Sequence, residues 1–111
     1  MHECYQDIDI TSYQAQFSAV PHYLIDVREV DEYVGGHLPQ AVNIPLSVFQ
    51  ERVQEIGSDL PIVLVCASGG RSAMAAEYVV ASLGHDKVYN LVGGTLGWMM
   101  RGLPLERAER E

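Results

Sequence analysis

Ile62-Val63-Leu64-Val65 is the feature that most limits the folds open to this chain. It is a short, wholly apolar run that starts after Pro61 and ends at Cys66. A strand with one face in water alternates apolar and polar side chains. A β-branched run without alternation is buried on both faces, which places it in the middle of a parallel sheet. Such a sheet needs helices on both faces, so the sequence should alternate strands with helical patterns.

It does. Leu24–Val27 reads as a second buried strand, Val42–Ile44 as a short strand closed by Pro45, and Val88–Leu91 as another. Cys4–Gln6 is expected to form a short first strand, followed by a helix from Thr11 or Ser12 to Ser18. A short helical pattern covers Glu29–Val34 and stops at Gly35-Gly36. Leu46, Phe49, Val53 and Ile56 recur at spacings of three and four, which predicts one helix face with Gly57 as its C′ residue. Ala73, Ala76, Val80 and Leu83, widened by Ala75 and Val79, predict a well-buried helix ended by Gly84. Thr95 is expected to cap a last helix through Arg101, with Gly102 and Pro104 as stop signals. The class is α/β with a mostly parallel sheet. The 111 residues contain no repeat, low-complexity segment or linker, so one domain over 1–111 is expected.

Charge and cysteine usage narrow the function. Seven Lys and Arg against fifteen Asp and Glu give a net charge of −8, which repels phosphate backbones and anionic lipids. Nucleic acid and membrane surfaces are therefore not expected partners. Two cysteines, Cys4 and Cys66, are too few for a disulfide scaffold. The N-terminus lacks the basic-then-apolar pattern of a signal peptide, and no apolar run reaches membrane-spanning length. Cytoplasm is the expected location. His2, His22 and His85 have no metal-ligand spacing, so no metal is expected.

In open α/β sheets, ligands bind beyond the carboxyl ends of the strands. After Val65 this is Cys66-Ala67-Ser68-Gly69-Gly70-Arg71-Ser72. A cysteine ends a central strand. Two glycines follow that can take positive φ and turn successive N–H groups inward as an anion nest. A helix then starts near Arg71 or Ser72, with the positive end of its dipole facing the loop. Each feature favours thiolate over thiol, which predicts an activated nucleophile at Cys66. A buried structural cysteine before a glycine-rich turn would not need all three together.

Spacing separates the candidate electrophiles. Phosphatases and arsenate-handling enzymes of the Cys-x5-Arg kind have one more residue between Cys and Arg than the four found here. The shorter loop makes a tighter ring, better suited to one sulfur atom than to a phosphoryl group with three equatorial oxygens. A phosphatase would also need an acid for its leaving group, and the sequence offers no clear one.

The loop CASGGRS resembles the Cys-x-x-Gly-x-Arg-Ser active-site motif of single-domain rhodanese-like sulfurtransferases. Asp26-Val27-Arg28-Glu29, followed by Glu32-Tyr33, resembles that family's DVRE element. Gly36-His37-Leu38-Pro39-Gln40-Ala41-Val42-Asn43-Ile44-Pro45 resembles its G-H-I-x-G-A-x-N-I-P segment. Leu91-Val92-Gly93-Gly94 with Trp98, Gly102 and Pro104 resembles its closing segment. The four run in the family's order from Leu24 to Pro104.

The resemblance implies a rhodanese-like fold, a five-stranded, mostly parallel sheet flanked by helices on both faces. It also implies ping-pong sulfur transfer without a cofactor. Cys66 takes the outer sulfur of thiosulfate or a persulfide, and the resulting persulfide passes it to cyanide or a thiol. The N–H groups of Ala67, Ser68, Gly69, Gly70, Arg71 and Ser72 would surround the sulfur, with the Ser68 and Ser72 hydroxyls as further donors. Arg71 either binds the donor's anionic end or braces the loop through a carboxylate such as Glu32; bracing is the favoured reading. Asp26 and Arg28 either shape the pocket or form a structural pair or cap; the structural role is favoured.

Other readings stay open: a phosphatase or arsenate reductase, a non-catalytic module that binds a partner, and a sulfur relay whose protein partner supplies and removes the sulfur. Two positions depart from the family pattern. Gln40 replaces a glycine. Ala67 and Ser68 are neutral where some thiosulfate users carry basic residues, so a persulfide or other low-charge sulfane donor is expected.

Of the remaining residues, Cys4 is read as a small hydrophobe rather than a resolving thiol, and His37 as part of a turn rather than a base. Trp98 is expected on the core, with one of Met99 and Met100 exposed. Gly93-Gly94 should form a tight strand-to-helix turn. The charged tail Glu106–Glu111 is expected to be solvated.

Overall fold

The computed structural model describes residues 5–107. Five strands form one parallel sheet: β1 (Gln6–Ile8), β2 (Tyr23–Asp26), β3 (Val42–Asn43), β4 (Ile62–Val65) and β5 (Val88–Leu91). Their order is β1-β5-β4-β2-β3, which puts β4 at the centre. All four residues of β4 are fully buried, as its unbroken apolar run requires.

The period of two along each strand divides the core into two layers. Ile62, Leu64 and Cys66 on β4, with Ile25 and Val88, face one layer. Phe49, Val53, Ala75, Ala76 and Val79 complete it, from α3 (Phe49–Arg52), the 3₁₀ turn after it, and α4 (Gly70–Leu83). Val63, Val65, Leu24, Ile8 and Leu91 face the opposite layer. There they meet Tyr13 and Phe17 of α1 (Ile10–Phe17) and Trp98 of α5 (Gly94–Met100). Helix α2 (Val30–Gly35) lies between β2 and β3 in the chain.

Several boundaries differ from the sequence reading, each for a local reason. The first strand is Gln6–Ile8, further along than Cys4–Gln6, and Cys4 lies outside the described residues. Helix α1 starts at Ile10 because Asp9 is its N-cap, its carboxylate accepting from Ser12 N at 2.7 Å. The predicted single helix over 46–56 is three short pieces: a 3₁₀ turn at Leu46–Val48, α3, and a 3₁₀ turn at Val53–Glu55. Val48 (φ −123°) leaves helical geometry before α3, and Arg52 (φ −115°) marks the change from α3 to the second 3₁₀ turn. The inward spacing survives, since Phe49, Val53 and Ile56 are all buried. Gly57 is not a left-handed C′ residue; a Cβ there would collide with the Tyr23 hydroxyl.

The buried face of α4 is Ser72, Ala75, Ala76 and Val79, with Ala73, Val80 and Leu83 only half-buried at its margin. Gly84 ends the helix with φ 64° as expected. Thr95 is not a cap but an interior residue of α5, and its buried hydroxyl has no hydrogen-bond partner. Trp98 is buried and donates to Pro104 O at 2.7 Å, while both Met99 and Met100 are exposed, not one. Glu106 is not loose in solvent: its backbone pairs with His37 in an antiparallel bridge, and its carboxylate accepts from Gln40 N at 3.1 Å. Residues 108–111 lie outside the described residues. Among the described residues no helix is long and apolar enough to cross a membrane, and no cluster of His, Cys, Asp and Glu has metal-site geometry.

Candidate active site

Cys66 leaves the carboxyl end of β4 and is 1% exposed. The chain then turns sharply at Gly69, whose φ of 118° is open to glycine alone at low cost. That turn brings Gly69 N to 3.1 Å from Cys66 Sγ, as a donor to the sulfur. Gly70 does not use its freedom; its φ is not positive and it starts α4. One turn into α4, the fully buried Ser72 places its hydroxyl 3.4 Å from the sulfur.

Burial, the largest single influence, pushes the Cys66 thiol up. Hydrogen bonds from the Ser72 hydroxyl and from the backbone N–H groups of Ser72, Gly69 and Ser68 together outweigh it and hold the thiol below its ordinary range. The backbone N–H that hydrogen-bonds to the sulfur is that of Gly69, and those of Ser68 and Ser72 add to the pull towards thiolate, a subset of the 67–72 set. The Ser68 side chain is exposed and makes no bond to the sulfur. Two surface hollows of about 620 and 430 Å³ are lined by other residues and include none of the 66–72 loop.

The rear of the loop is held by α5. Thr95 N donates to Cys66 O at 2.8 Å, and Leu96 N to Ala67 O at 3.0 Å. The approach is so close that a Cβ on Gly94 would overlap the Cys66 carbonyl oxygen and lie 2.6 Å from Ala67 O. Gly93 and Gly94 both have positive φ, so the strand-to-helix turn is as tight as the sequence suggested.

Arg71 faces Glu32. Two parallel bonds, Nη1 to Oε1 at 2.9 Å and Nη2 to Oε2 at 3.1 Å, form a bidentate pair that joins α4 to α2. Glu32 also closes a capping box with Glu29, accepting from Glu29 N at 3.0 Å. The Arg71 guanidinium, helped by the Glu29 N–H, brings the Glu32 carboxyl down to about 2 against the pull of partial burial. Asp26 and Arg28, both buried, form a second pair: Arg28 Nη2 lies 3.0 Å from Asp26 Oδ2 and also donates to Gly36 O at 2.6 Å. This pair locks the exit of β2 to the end of α2. His37 donates from Nδ1 to Tyr33 O at 2.8 Å and stacks on the Tyr33 ring at 3.8 Å, a turn role as expected.

Sequence reasoning missed Asn90. Its side-chain oxygen accepts from the Ser72 hydroxyl at 2.5 Å, and its Nδ2 donates to Asp7 Oδ1 at 3.1 Å. The signal was present: a buried polar residue within the otherwise apolar strand Val88-Tyr89-Asn90-Leu91 needs a partner.

A parallel five-stranded sheet, an amide-lined cysteine at the end of its central strand and an arginine braced across the loop define the rhodanese class of α/β domain. The chain matches the Rhodanese-like domain family over residues 9–101 and belongs to it. Its relatives include proteins named sulfurtransferase and sulfur carrier. It is 36% identical over 86 residues to a sulfurtransferase of Allochromatium vinosum, covering 78% of this chain and 79% of that one. It is 40% identical over 75 residues to the putative sulfur carrier protein YrkF of Bacillus subtilis, covering 68% of this chain but only 40% of that one. The crystal structure of a rhodanese-related protein from Thermoplasma volcanium superposes with a TM-score of 0.82 at 29% identity, covering 94% of this chain and all of the other (100%).

Proposed function

We propose that this chain, acting as one rhodanese domain, transfers a sulfane sulfur from a donor to a thiophilic acceptor through a persulfide on Cys66. The observation that carries the reading is the Gly69 N–H and Ser72 hydroxyl aimed at Cys66 Sγ, at 3.1 and 3.4 Å. These donors favour a sulfur anion and are in position before any reaction begins.

In the first half-reaction the Cys66 thiolate attacks the terminal sulfur of R–S–S⁻. A bond forms from Sγ to that sulfur, the donor's S–S bond breaks, and its electron pair leaves on RS⁻ (on sulfite, when the donor is thiosulfate). In the second half, a thiolate or cyanide attacks the outer sulfur, and the electron pair of the Cys66 persulfide bond returns to Sγ. The chain ends as it began, so neither a cofactor nor a redox partner is required. Backbone N–H groups of the 67–72 loop are the donors available to the outer sulfur.

The donor class follows from charge. Arg71 is neutralised by Glu32 and Arg28 by Asp26. Ala67 and Ser68 are neutral, and the net charge is −8. A thiosulfate dianion meets no unpaired cation from these residues, whereas a persulfide brings less charge to the same loop. The relatives named sulfur carrier and sulfurtransferase support a protein partner in a sulfur relay. The same Arg71–Glu32 pair counts against a phosphatase, which needs its loop arginine on the phosphoryl oxygens.

Intact-mass spectrometry tests the reading. Incubation with a persulfide or thiosulfate should add the mass of one sulfur atom, reversed by cyanide or dithiothreitol and absent in Cys66→Ser. No adduct with any sulfane donor would refute it. A low KM for thiosulfate at moderate salt would refute the donor preference alone.

A further inference from the structure

The Ser72 hydroxyl carries one proton and has two acceptors. Asn90 Oδ1 lies at 2.5 Å and Cys66 Sγ at 3.4 Å. One proton cannot serve both at full strength, and the shorter contact is within the ordinary O–H···O range. The identity of the Asn90 atom facing Ser72 is fixed from the other side. Asp7 is exposed, Oδ1 of its carboxyl group is the acceptor, and Asn90 Nδ2 donates to it at 3.1 Å. The oxygen of the amide therefore faces Ser72.

Sheet register builds this line. Asp7 on β1 pairs with Asn90 on β5, and Asn90 pairs with Leu64 on β4. Leu64 and Cys66 share one face of β4, the face covered by α4, and Ser72 is on the first turns of that helix. The polar chain Asp7–Asn90–Ser72–Cys66 thus crosses three neighbouring strands on one side of the sheet. Asn90 is 4% exposed and Ser72 is fully buried, so water does not readily replace either partner.

We propose that Asn90 is a positioning residue that governs how readily Cys66 ionises, by competing with the sulfur for the single Ser72 proton. While Cys66 is a thiol, Ser72 gives its proton to Asn90 and can receive the S–H. When Cys66 ionises, the hydroxyl turns to the thiolate and leaves Asn90 Oδ1 without that bond. Once Sγ carries a second sulfur, the negative charge moves to the outer atom, and Ser72 returns to Asn90. The amide oxygen is thereby a restraint on the free thiolate that is relieved by sulfur loading. This rests on Cys66 being the sulfur-carrying residue proposed above.

The other charges near the sulfur are Arg71, held on Glu32, and the Asp26–Arg28 pair. Asp7 stands at the far end of the chain. A substitution at Asn90 leaves the Arg71–Glu32 and Asp26–Arg28 pairs in place and takes from Asp7 only the Asn90 Nδ2 bond.

The test is the Cys66 titration, followed by the ultraviolet absorbance of the thiolate and by the pH profile of iodoacetamide alkylation, in protein carrying Cys4→Ser so that one thiol reports. Asn90→Leu should lower the midpoint by about 0.4 to 1 pH unit, the equivalent of one net hydrogen bond. Ser72→Ala should raise it, and the double variant should match Ser72→Ala, since Asn90 acts only through Ser72. A midpoint unchanged or raised in Asn90→Leu, or a double variant that differs from Ser72→Ala, overturns the proposal. If Asn90→Leu does not fold, Asp7→Ala and Asp7→Asn replace it. Both remove the charge, but only the asparagine retains an oxygen to orient Asn90. A lower midpoint in Asp7→Ala than in Asp7→Asn supports the proposal, and equal midpoints overturn it. Persulfide formation is scored separately by mass. Sulfur loading without the shifts refutes the role of Asn90, and the shifts without loading refute sulfur transfer.

Discussion

Replacing Gly94 by alanine tests how the loop is held. The added Cβ would overlap the Cys66 carbonyl oxygen and lie 2.6 Å from Ala67 O and 2.7 Å from Ala67 C. All three are backbone atoms, so no side chain can swing aside. The φ of 58° costs alanine about 1 kcal/mol before any collision is counted. Relief requires α5 to back away, which stretches Thr95 N to Cys66 O and Leu96 N to Ala67 O, bonds of 2.8 and 3.0 Å. Each such bond is worth about 1 kcal/mol, and stranding a buried carbonyl adds about 1–3 kcal/mol. The expected loss is about 4–6 kcal/mol, a large fraction of the roughly 5–15 kcal/mol that holds a domain together. Gly70→Ala is the matched control, because nothing lies within 4 Å of its added Cβ and its φ is not positive. It should be neutral, or stabilising by up to about 1 kcal/mol. Urea unfolding of both variants measures the difference. A Gly94→Ala loss below about 1 kcal/mol, or equal losses in the two variants, would refute the packing argument.

Three further outcomes follow from the geometry. Gln40 is the only non-glycine among the described residues with positive φ, at 71°, so Gln40→Gly should stabilise by about 0.5 kcal/mol in thermal unfolding, the backbone bond to Glu106 being retained. Glu32→Gln should cost about 1 kcal/mol at neutral pH, because the pair is 37% exposed and screened. The folded-state value of Glu32, about 2, lies below the ordinary 4.5. Its contribution is therefore complete above the ordinary value and fades as pH falls from there towards 2. Tm against pH should show the two proteins converging over that acid range, and a constant gap would contradict the pair's role. Thr95→Val removes a buried hydroxyl that has no partner and should stabilise by about 1 kcal/mol; a loss on urea unfolding would contradict that.

Much of this molecule was legible because its pattern is local. The unbroken Ile62–Val65 run could only be a doubly covered strand. The glycines after the cysteine announced a turn, while the arginine four residues on from the alanine left two roles open, of which the structure shows the brace on Glu32. What was not legible is long-range or set by backbone detail. The 46–56 segment keeps helical spacing, but Val48 steps out of helical geometry and the chain changes to a 3₁₀ turn after Arg52, and spacing alone does not report that. The His37–Glu106 bridge joins residues far apart in the chain, so neither announces it. Thr95 looked like a cap because capping residues are common at helix starts, yet Gly93 occupies that place so that α5 can approach the Cys66 carbonyl. Asn90 was overlooked although a polar residue pointing inward from a buried strand was visible. Its meaning required the register that sets it beside Asp7 and under Ser72.

A crystal structure of the protein after treatment with a sulfane donor bears most directly on the central claim. Extra density on Cys66 Sγ is predicted, with the outer sulfur ringed by backbone N–H groups of the 67–72 loop and Arg71 still on Glu32. An unmodified cysteine after full treatment, or a loop whose N–H groups face away from the sulfur, would contradict it.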